Sequence, residues 1–486
     1  MEIEIKMNNK LLKLKLASAG VALGLSMSIA PAIADTNRAL EAWKAFAAEE
    51  NNPRYDKWVE LLSDPEAIKL AKEWKDLRGY DAYDLFDKEE IPAELKPGLV
   101  ITAENKADFP WLPKYLTQET YDAIGASWGN IRKIKIVPSN TYYMHKGYLK
   151  GNKAIAEQNI KFSFDETGQP IYEDGSYALL SGPAATALPF LVNPKNGLEL
   201  NWNNIAASVA TDTLEFDSAY MNSCTPDSKP DRQYRANLWW WHYHERHDTA
   251  PLGDIEGKDE MVEGGALFIF EPNDVRGLAG VRQRYGSGTK EDDFKIFLPS
   301  LRRTRLLTGT DSQDPLASGL ELSWDDWRGG WVKTNTENFE YNLVGEALVL
   351  SPTNTMHTTG GLDAFSIDED RCGVDYIEME LRPTYILEQV DKTGKYQYSK
   401  LRYYFDKEDY SLATKKTWDP RGNLFKSYVD ARDFLPATGV NVWGALIIRN
   451  NVSHRTSTMW MDSTWEDLDE IVDESMFDVD QLRDYQ

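Results

Sequence analysis

The chain has 486 residues, a formal net charge of −24 at pH 7 and a pI near 4.8. A protein this acidic repels nucleic-acid phosphates and anionic membrane surfaces, so nucleic-acid binding is disfavoured. Its two cysteines are too few to form a zinc or iron–sulfur centre without other ligands. We therefore expect no nucleic-acid partner and no cofactor. The 42% of hydrophobic residues is ample for a large core.

The first 34 residues have the order of a secretory signal peptide. Four lysines between Lys6 and Lys15 precede an apolar stretch over residues 16–29, and small residues follow up to Ala34. The apolar stretch is shorter than the ~20 residues that a membrane-spanning helix needs, although an uncleaved anchor is the alternative. We predict a signal peptide over 1–34, cleavage after Ala34 and a periplasmic location.

Two segments of the mature chain have the apolar spacing of helices. In residues 35–92, Pro53 and Pro65 divide the pattern into short helices. In residues 456–486, acidic residues alternate with apolar residues at helical intervals, namely Leu468, Ile471, Val479 and Leu482. We predict an N-terminal helical segment over 35–92 and an acidic C-terminal helix over 456–486.

The central region, residues 93–455, has the texture of a β domain. Short runs of β-branched and aromatic residues alternate with Gly, Asn, Asp and Pro, as at 238–244, 266–270 and 294–298. Successive runs joined by short turns favour an antiparallel meander over alternating βαβ units. We predict one mainly antiparallel β domain over 93–455.

The cysteines, Cys224 and Cys372, could form one disulfide in an oxidising compartment. The alternative is two buried thiols, because the sequence does not fix the distance between their Cα atoms. Both interpretations stay open.

A histidine cluster follows the aromatic run 239–241. On a strand, His242 and His244 point to the same face, as paired metal ligands often do, and His247 could complete a site after a turn. The alternative is a strand covered on both sides, whose histidines lie at a wet rim. We favour the rim and predict no metal, with these three residues as the candidates if one binds.

No familiar catalytic motif is present. The chain lacks a G-x-S-x-G elbow, a Walker A loop and an H-E-x-x-H pair, so we expect that it is not an enzyme. One basic strand stands out in the acidic chain, with Arg302, Arg303 and Arg305. These arginines could meet an anionic headgroup, or they could be a solvated strand face that pairs with nearby carboxylates.

Several blocks occur in the order found in a known family. Residues 188–203 read LPFLVNPKNGLELNWN and are similar to a block of the form PFP-x-P-x-NGLE-x-x-WN. The hairpin 268–305 and the strand pair 402–424 follow in the same order. Together these blocks resemble the bacterial domain-of-unknown-function 1329 family of the lipoprotein-sorting (LolA/LolB-like) superfamily. The resemblance spans about 93–429; the helical start and the acidic tail are not typical of that family.

The resemblance implies an incomplete, half-open antiparallel β-barrel with a helical lid around a hydrophobic cavity. It also implies a periplasmic carrier or chaperone of lipid or another hydrophobic molecule. Members of the family are thought to work beside exporters of the resistance–nodulation–division type and outer-membrane β-barrel proteins. For the cargo site we name apolar wall residues and three headgroup arginines: Trp240, Phe268, Phe270, Ile296, Arg302, Arg303 and Arg305.

Two other functions stay open. One is a periplasmic metal-dependent enzyme that uses His242, His244 and His247. The other is a carbohydrate-binding or scaffold module, because 16 Trp and 24 Tyr suit sugar stacking as well as lipid.

Overall fold

Four helices begin the part of the chain that the computed structural model describes, which is residues 37–126, 131–207, 211–308, 311–352, 365–368, 372–461 and 474–482. They are α1 (Arg38–Glu50), α2 (Pro53–Leu62), α3 (Pro65–Arg78) and α4 (Ala82–Phe86). Asn52 and Asp64 cap α2 and α3, and proline occupies the first position of both helices. Helices therefore occupy much of the predicted N-terminal segment, 35–92. The predicted signal peptide, 1–34, lies outside the described residues.

These helices bury three tryptophans that have no exposed surface, Trp43, Trp58 and Trp74. They pack in one cluster with Tyr385 and Phe405 of the sheet. The buried indole N–H groups of Trp58 and Trp74 each need a hydrogen-bond acceptor. That of Trp58 donates to Asn140 over 3.1 Å, and that of Trp74 donates to the carbonyl of Met144 over 2.8 Å. Apolar contacts therefore bind the helices to the sheet, and hydrogen bonds bind them to the loop that carries Asn140 and Met144.

The remaining helices are α5 (Leu112–Tyr115), α6 (Gln118–Ala123), α7 (Lys146–Glu157), α8 (Gly197–Ala207) and α9 (Val479–Leu482). Among the described residues, no helix combines the length and the apolar character that crossing a membrane requires.

Eighteen strands are described. The first ten are β1 (Val100–Thr102), β2 (Lys133–Ile136), β3 (Ser163–Phe164), β4 (Pro170–Ile171), β5 (Thr213–Cys224), β6 (Pro230–His242), β7 (Met261–Glu271), β8 (Leu278–Tyr285), β9 (Asp293–Leu298) and β10 (Arg303–Leu307). The others are β11 (Phe339–Ser351), β12 (Phe365–Asp368), β13 (Gly373–Asp391), β14 (Lys400–Asp406), β15 (Leu412–Trp418), β16 (Leu424–Leu435), β17 (Val440–Asn450) and β18 (Thr456–Met461).

All but two of these strands form a single 16-stranded sheet. Its order is β1-β2-β13-β14-β15-β16-β17-β18-β5-β6-β7-β8-β9-β10, while β11 and β12 also pair with β13. Neighbours are antiparallel except β2 and β13, which are parallel. Within the described residues, β1 and β10 end the sheet without pairing to each other. The predicted fold, a mainly antiparallel sheet that does not close into a barrel, with accompanying helices, is confirmed.

The predicted boundary at residue 456 is wrong. Strand β18 begins there and pairs with β5 from Thr456↔Cys224 to Met461↔Ala219. All six of its residues are buried, so they are part of the sheet and cannot start a solvated helix. Of the predicted acidic helix, only α9 and a short 3₁₀ turn, Glu474–Phe477, are described; residues 462–473 and 483–486 lie outside the described residues.

The cysteines, which the sequence left open, are joined in a disulfide. Cys224 ends β5 and Cys372 precedes β13, with their Cα atoms 6.0 Å apart. Both side chains are buried.

Strand β16 carries a buried carboxyl, Asp430, whose pKa is raised to about 6 by burial. The indole N–H of Trp443 donates to it over 2.8 Å, and Arg432 lies 3.1 Å away. A carboxyl whose pKa is raised in the folded state stabilises the fold fully when the pH is below the ordinary pKa of 3.8. That stabilisation is lost as the pH rises through 6.

We expect Asp430→Asn to remove this pH dependence. The difference in unfolding free energy, wild type minus variant, should fall by about 2.4 kcal/mol between pH 4 and pH 7, since one pKa unit corresponds to about 1.4 kcal/mol and part of the effect lies below pH 4. Urea denaturation of both proteins at several pH values measures it. Parallel stability profiles would contradict the expectation.

Candidate functional site

One face of strands β5 to β10 is covered by an irregular segment, residues 311–331, which we call the strap. The strap contains two 3₁₀ turns, Asp311–Gln313 and Trp324–Gly329. It buries apolar side chains against the sheet: Leu316, Leu320, Leu322, Trp324, Trp327 and Trp331. This face of the sheet, the strap face, is therefore covered by loop rather than by a second sheet.

Two strand glycines make room for the strap's rings. A Cβ at Gly265 would lie 2.6 Å from the ring of Trp331, and one at Gly280 would lie 2.4 Å from the ring of Trp324. Glycine inside a strand permits this close approach. The sheet is thus shaped to receive the strap.

Buried ion pairs anchor the strap. Asp325 lies 3.2 Å from Arg282 of β8, and Asp326 lies 3.0 Å from Lys415 of β15. The phenol groups of Tyr398 and Tyr428 also donate to Asp326, over 2.9 and 2.7 Å. Burial alone would raise the pKa of Asp326, but Lys415 and Lys426 hold it well below its usual range. The strap therefore carries a fixed negative charge beneath the sheet.

The four predicted wall residues do not form one wall. Trp240 and Ile296 lie on the strap face, where Trp240 packs against Trp327 with ring centroids 5.2 Å apart. Phe268 and Phe270 belong to a cluster on the opposite face, with Phe477 of the C-terminal turn. The register explains the error: Trp240 pairs with Gly265, so the odd-numbered residues of β7 share its face.

The three predicted arginines are exposed. Arg302 lies in the turn before β10 with φ 51°, and Arg305 pairs with Asp311 at 3.2 Å. Arg303 and Arg305 alternate with exposed Leu306 and so share the face of Leu307, which is buried. Their role near a headgroup stays a prediction.

A cavity of about 420 Å³ opens between the strap and strands β8 to β10. Part of its wall is apolar, namely Phe294, Leu307, Val332 and Phe339. Polar and charged side chains line the rest, the charged ones including Arg282, Asp292, Lys333 and Lys395. Sequence reasoning named none of these as site residues, although it recognised the strands that carry Phe294 and Leu307. Arg282, on β8, and Lys333, in a loop, have no sequence signal, since a cation that is largely covered in the fold looks like a solvated one until its partner, here Asp292, is known.

The three candidate histidines do not act together. His242 is buried at the end of β6, and burial lowers its pKa to about 4. His244 lies 2.9 Å from the carbonyl oxygen of Met261. The chain then turns at Glu245, φ 50°, and the guanidinium of Arg246 donates to the carbonyls of Asp212 and His242, over 2.6 and 2.9 Å. This turn directs His247 away from the other two histidines and towards His145 at the start of α7. His247 Nε2 lies 3.0 Å from His145 Nδ1.

A family model described as "Protein of unknown function (DUF1329)" matches residues 100–483. No curated protein matches the chain.

Three solved structures are similar at low identity. The first is a domain from Vibrio parahaemolyticus that is described as an outer membrane lipoprotein-sorting protein domain. It is 15% identical to this chain with a TM-score of 0.41, and the alignment covers 59% of this chain and 98% of that one. A DUF1329 family protein from Desulfovibrio piger is 15% identical with a TM-score of 0.41, and the alignment covers 58% of this chain and 96% of that one. A LolA superfamily protein from Nitrosomonas europaea is 14% identical with a TM-score of 0.33, and the alignment covers 57% of this chain and 99% of that one.

Proposed function

The chain belongs to the DUF1329 family, and we propose that it is a periplasmic carrier that binds lipid or another hydrophobic molecule. The cavity between the strap and β8 to β10 is the observation that carries the proposal. Its volume, about 420 Å³, lies within the range of small-molecule sites. Its wall combines an apolar part with charged groups, which suits a ligand that has an apolar tail and a polar head.

Binding would come mainly from burial of the tail against Phe294, Leu307, Val332 and Phe339. At about 25 cal/mol per Å² of apolar surface removed from water, a tail that buries ~200 Å² gains roughly 5 kcal/mol. The charged groups of the lining would hold the polar head. Arg303 and Arg305 share the face of Leu307 on β10, which supports a role for them near a headgroup that protrudes from the cavity.

A longer cargo would need more space than the cavity has. The strap face is already apolar, and the strap covers it with side chains from irregular backbone. Displacement of part of the strap would extend the cavity along Phe294 towards Trp240. We place the carrier between an inner-membrane exporter, of the resistance–nodulation–division type, and an outer-membrane β-barrel protein, and its acidic exterior would keep the loaded form soluble. A carrier of this kind is not an enzyme.

The proposal is tested on the mature chain, residues 35–486, purified from a periplasm without detergent. We expect mass spectrometry of an organic extract to find a long-chain molecule in stoichiometric amount, and the emptied protein to bind a fluorescent fatty-acid probe. A protein that arrives empty and also fails to bind the probe would overturn the carrier proposal.

A pair of neighbouring leucines supplies a matched test of the cavity. Leu307 lines it, whereas Leu306, the previous residue of β10, is 62% exposed. Leu307→Trp should fill the cavity and weaken probe binding by about tenfold or more, which corresponds to about 1.4 kcal/mol. Leu306→Trp adds the same indole outside the cavity and should leave binding unchanged. Equal effects of the two variants would place the probe elsewhere.

A further inference from the structure

Three side chains from two distant parts of the chain converge beside α7. His145 precedes the helix, while His247 and Asp248 lie in the loop after β6. His145 Nδ1 is 3.0 Å from His247 Nε2 and 3.9 Å from Asp248 Oδ2. One ligand atom from each residue lies within 4.8 Å of the others. Zinc–nitrogen bonds of about 2.0–2.1 Å place two coordinating nitrogens ~3.0–3.4 Å apart, so the imidazoles already have the spacing of paired ligands.

The hydrogen bonds around the pair leave two acceptors facing each other. His247 Nδ1 is 3.2 Å from the buried carboxylate of Asp212, which places the proton of a neutral ring on Nδ1 and a lone pair on Nε2. His145 Nδ1 is also an acceptor, since the backbone N–H of Gly147 donates to it over 3.3 Å. Two lone pairs at 3.0 Å repel unless a cation or an additional proton lies between them. A metal ion would replace the long bond from Gly147.

Asp212 supports the arrangement from behind. Its side chain is 1% exposed and accepts backbone N–H groups from His247 and from Asp248, the latter over 2.6 Å. A carboxylate that orients a histidine from the nitrogen opposite the metal is the common outer partner of protein metal sites. Two carboxylates, Asp212 and Asp248, also outweigh the half positive charge at the start of α7.

The sequence of α7 makes room for the second imidazole. A Cβ at Gly147 would lie 1.5 Å from His247 Nε2, so only glycine at this position lets the ring reach His145. The ring is therefore seated by two independent features, the carboxylate of Asp212 and the missing side chain of Gly147.

We propose that His145, His247 and Asp248 bind one divalent transition-metal ion, of the Zn²⁺ class. Two imidazoles and one carboxylate match the ligand preference of zinc and leave a fourth position for water or a group from a partner. The ion joins the start of α7 to the loop after β6, which are 102 residues apart in the chain. The site is separate from the cavity under the strap and does not depend on the carrier proposal.

The test uses the full mature protein after removal of bound metal with a chelator. Calorimetric titration with Zn²⁺ should give one site per chain, and Co²⁺ should give visible absorption bands of nitrogen and oxygen coordination. His247→Ala should abolish the site, and Asp212→Asn should weaken it by about 10–100-fold through the orienting effect. His454→Ala removes an exposed histidine elsewhere and should leave the titration unchanged.

Asp248→Asn, which keeps the shape of the side chain, provides a second variant should the alanine variant fail to fold, and it too should weaken Zn²⁺ binding. The proposal is overturned by wild-type protein that binds no Zn²⁺ in this titration. It is equally overturned by His454→Ala lowering the affinity as much as the site variants, because binding would then reflect dispersed histidines. If wild-type protein binds no Zn²⁺, the two imidazoles share a proton instead of a metal ion.

Discussion

Replacing Cys224 and Cys372 with serine is expected to lower the free energy of unfolding by about 4–5 kcal/mol. The two cysteines are 148 residues apart in the chain, and a cross-link that closes so long a loop removes much of the conformational entropy of the unfolded state. Guanidinium denaturation of wild type and of the double variant measures the difference. The expected value is at the upper end of what one disulfide contributes, because the loop is long.

Wild-type protein under a reducing agent is the matched control, since it loses the cross-link and keeps both sulfurs. It should unfold at a denaturant concentration close to that of the serine variant. If the reduced protein were as stable as the oxidised one, the cross-link would contribute nothing to stability and the expectation would be wrong. If only the serine variant were destabilised, the cause would be the buried hydroxyl groups.

The second large effect concerns the anchor of the strap. Asp326→Ala should lower the unfolding free energy by about 3–5 kcal/mol, the usual cost when one partner of a buried ion pair is removed. The side chain of Lys415 has no exposed surface and would be left without the carboxylate that favours its charged form. The phenol groups of Tyr398 and Tyr428 would lose their acceptor as well. Chemical denaturation measures the loss.

Two controls identify the cause. Asp227→Ala removes the carboxylate of an exposed pair with Lys229, 2.9 Å away, and should leave the unfolding free energy nearly unchanged. The double variant Asp326→Ala with Lys415→Met removes both charges and should recover at least ~2 kcal/mol of the loss. If the double variant is as unstable as Asp326→Ala alone, the loss comes from packing of the strap rather than from the stranded lysine.

The class of fold was predictable because each signal for it is local. Runs of β-branched and aromatic residues with short turns between them became the strands β5 to β18, and the spacing of Trp43 and Phe46 gave α1. The family resemblance rested on short blocks in a fixed order, and it is confirmed by the match over residues 100–483. The boundary at 456 failed because the acidic spacing beyond it suggested a helix, whereas Thr456 and Thr458 pair with β5.

The site was less predictable because it depends on register and on long-range contact. Alternation along β7 separates Leu267 from Phe268, but which of them shares a face with Trp240 follows from the pairing of two strands. Bulges add to the difficulty, as at Arg235 and Ala236 in the same strand pair. A single sequence reveals neither the register between two strands nor the position of a bulge.

The histidines show the same limit. A cluster at 242–247 drew attention to three neighbours, although the partner of His247 is His145, 102 residues earlier. The signal for separating His247 from His242 was weak: Glu245 adopts φ 50° without being glycine or asparagine. Gly147 offered a clue only in hindsight, since its role depends on a ring that comes from another part of the chain.

The pairing of β18 with β5 has a consequence for how the chain is made. Strands β5 to β10 are linked one after another and are complete once Leu307 has been synthesised. Among the described strands, they join the remainder of the sheet only through β18, whose Thr456 pairs with Cys224. A growing chain must therefore hold the exposed edge of β5 unpaired from the synthesis of Cys224 until that of Thr456. Pairing over such separations is slow and leaves strand edges open to aggregation, so we expect this protein to fold slowly and to aggregate more readily before its last strand is paired.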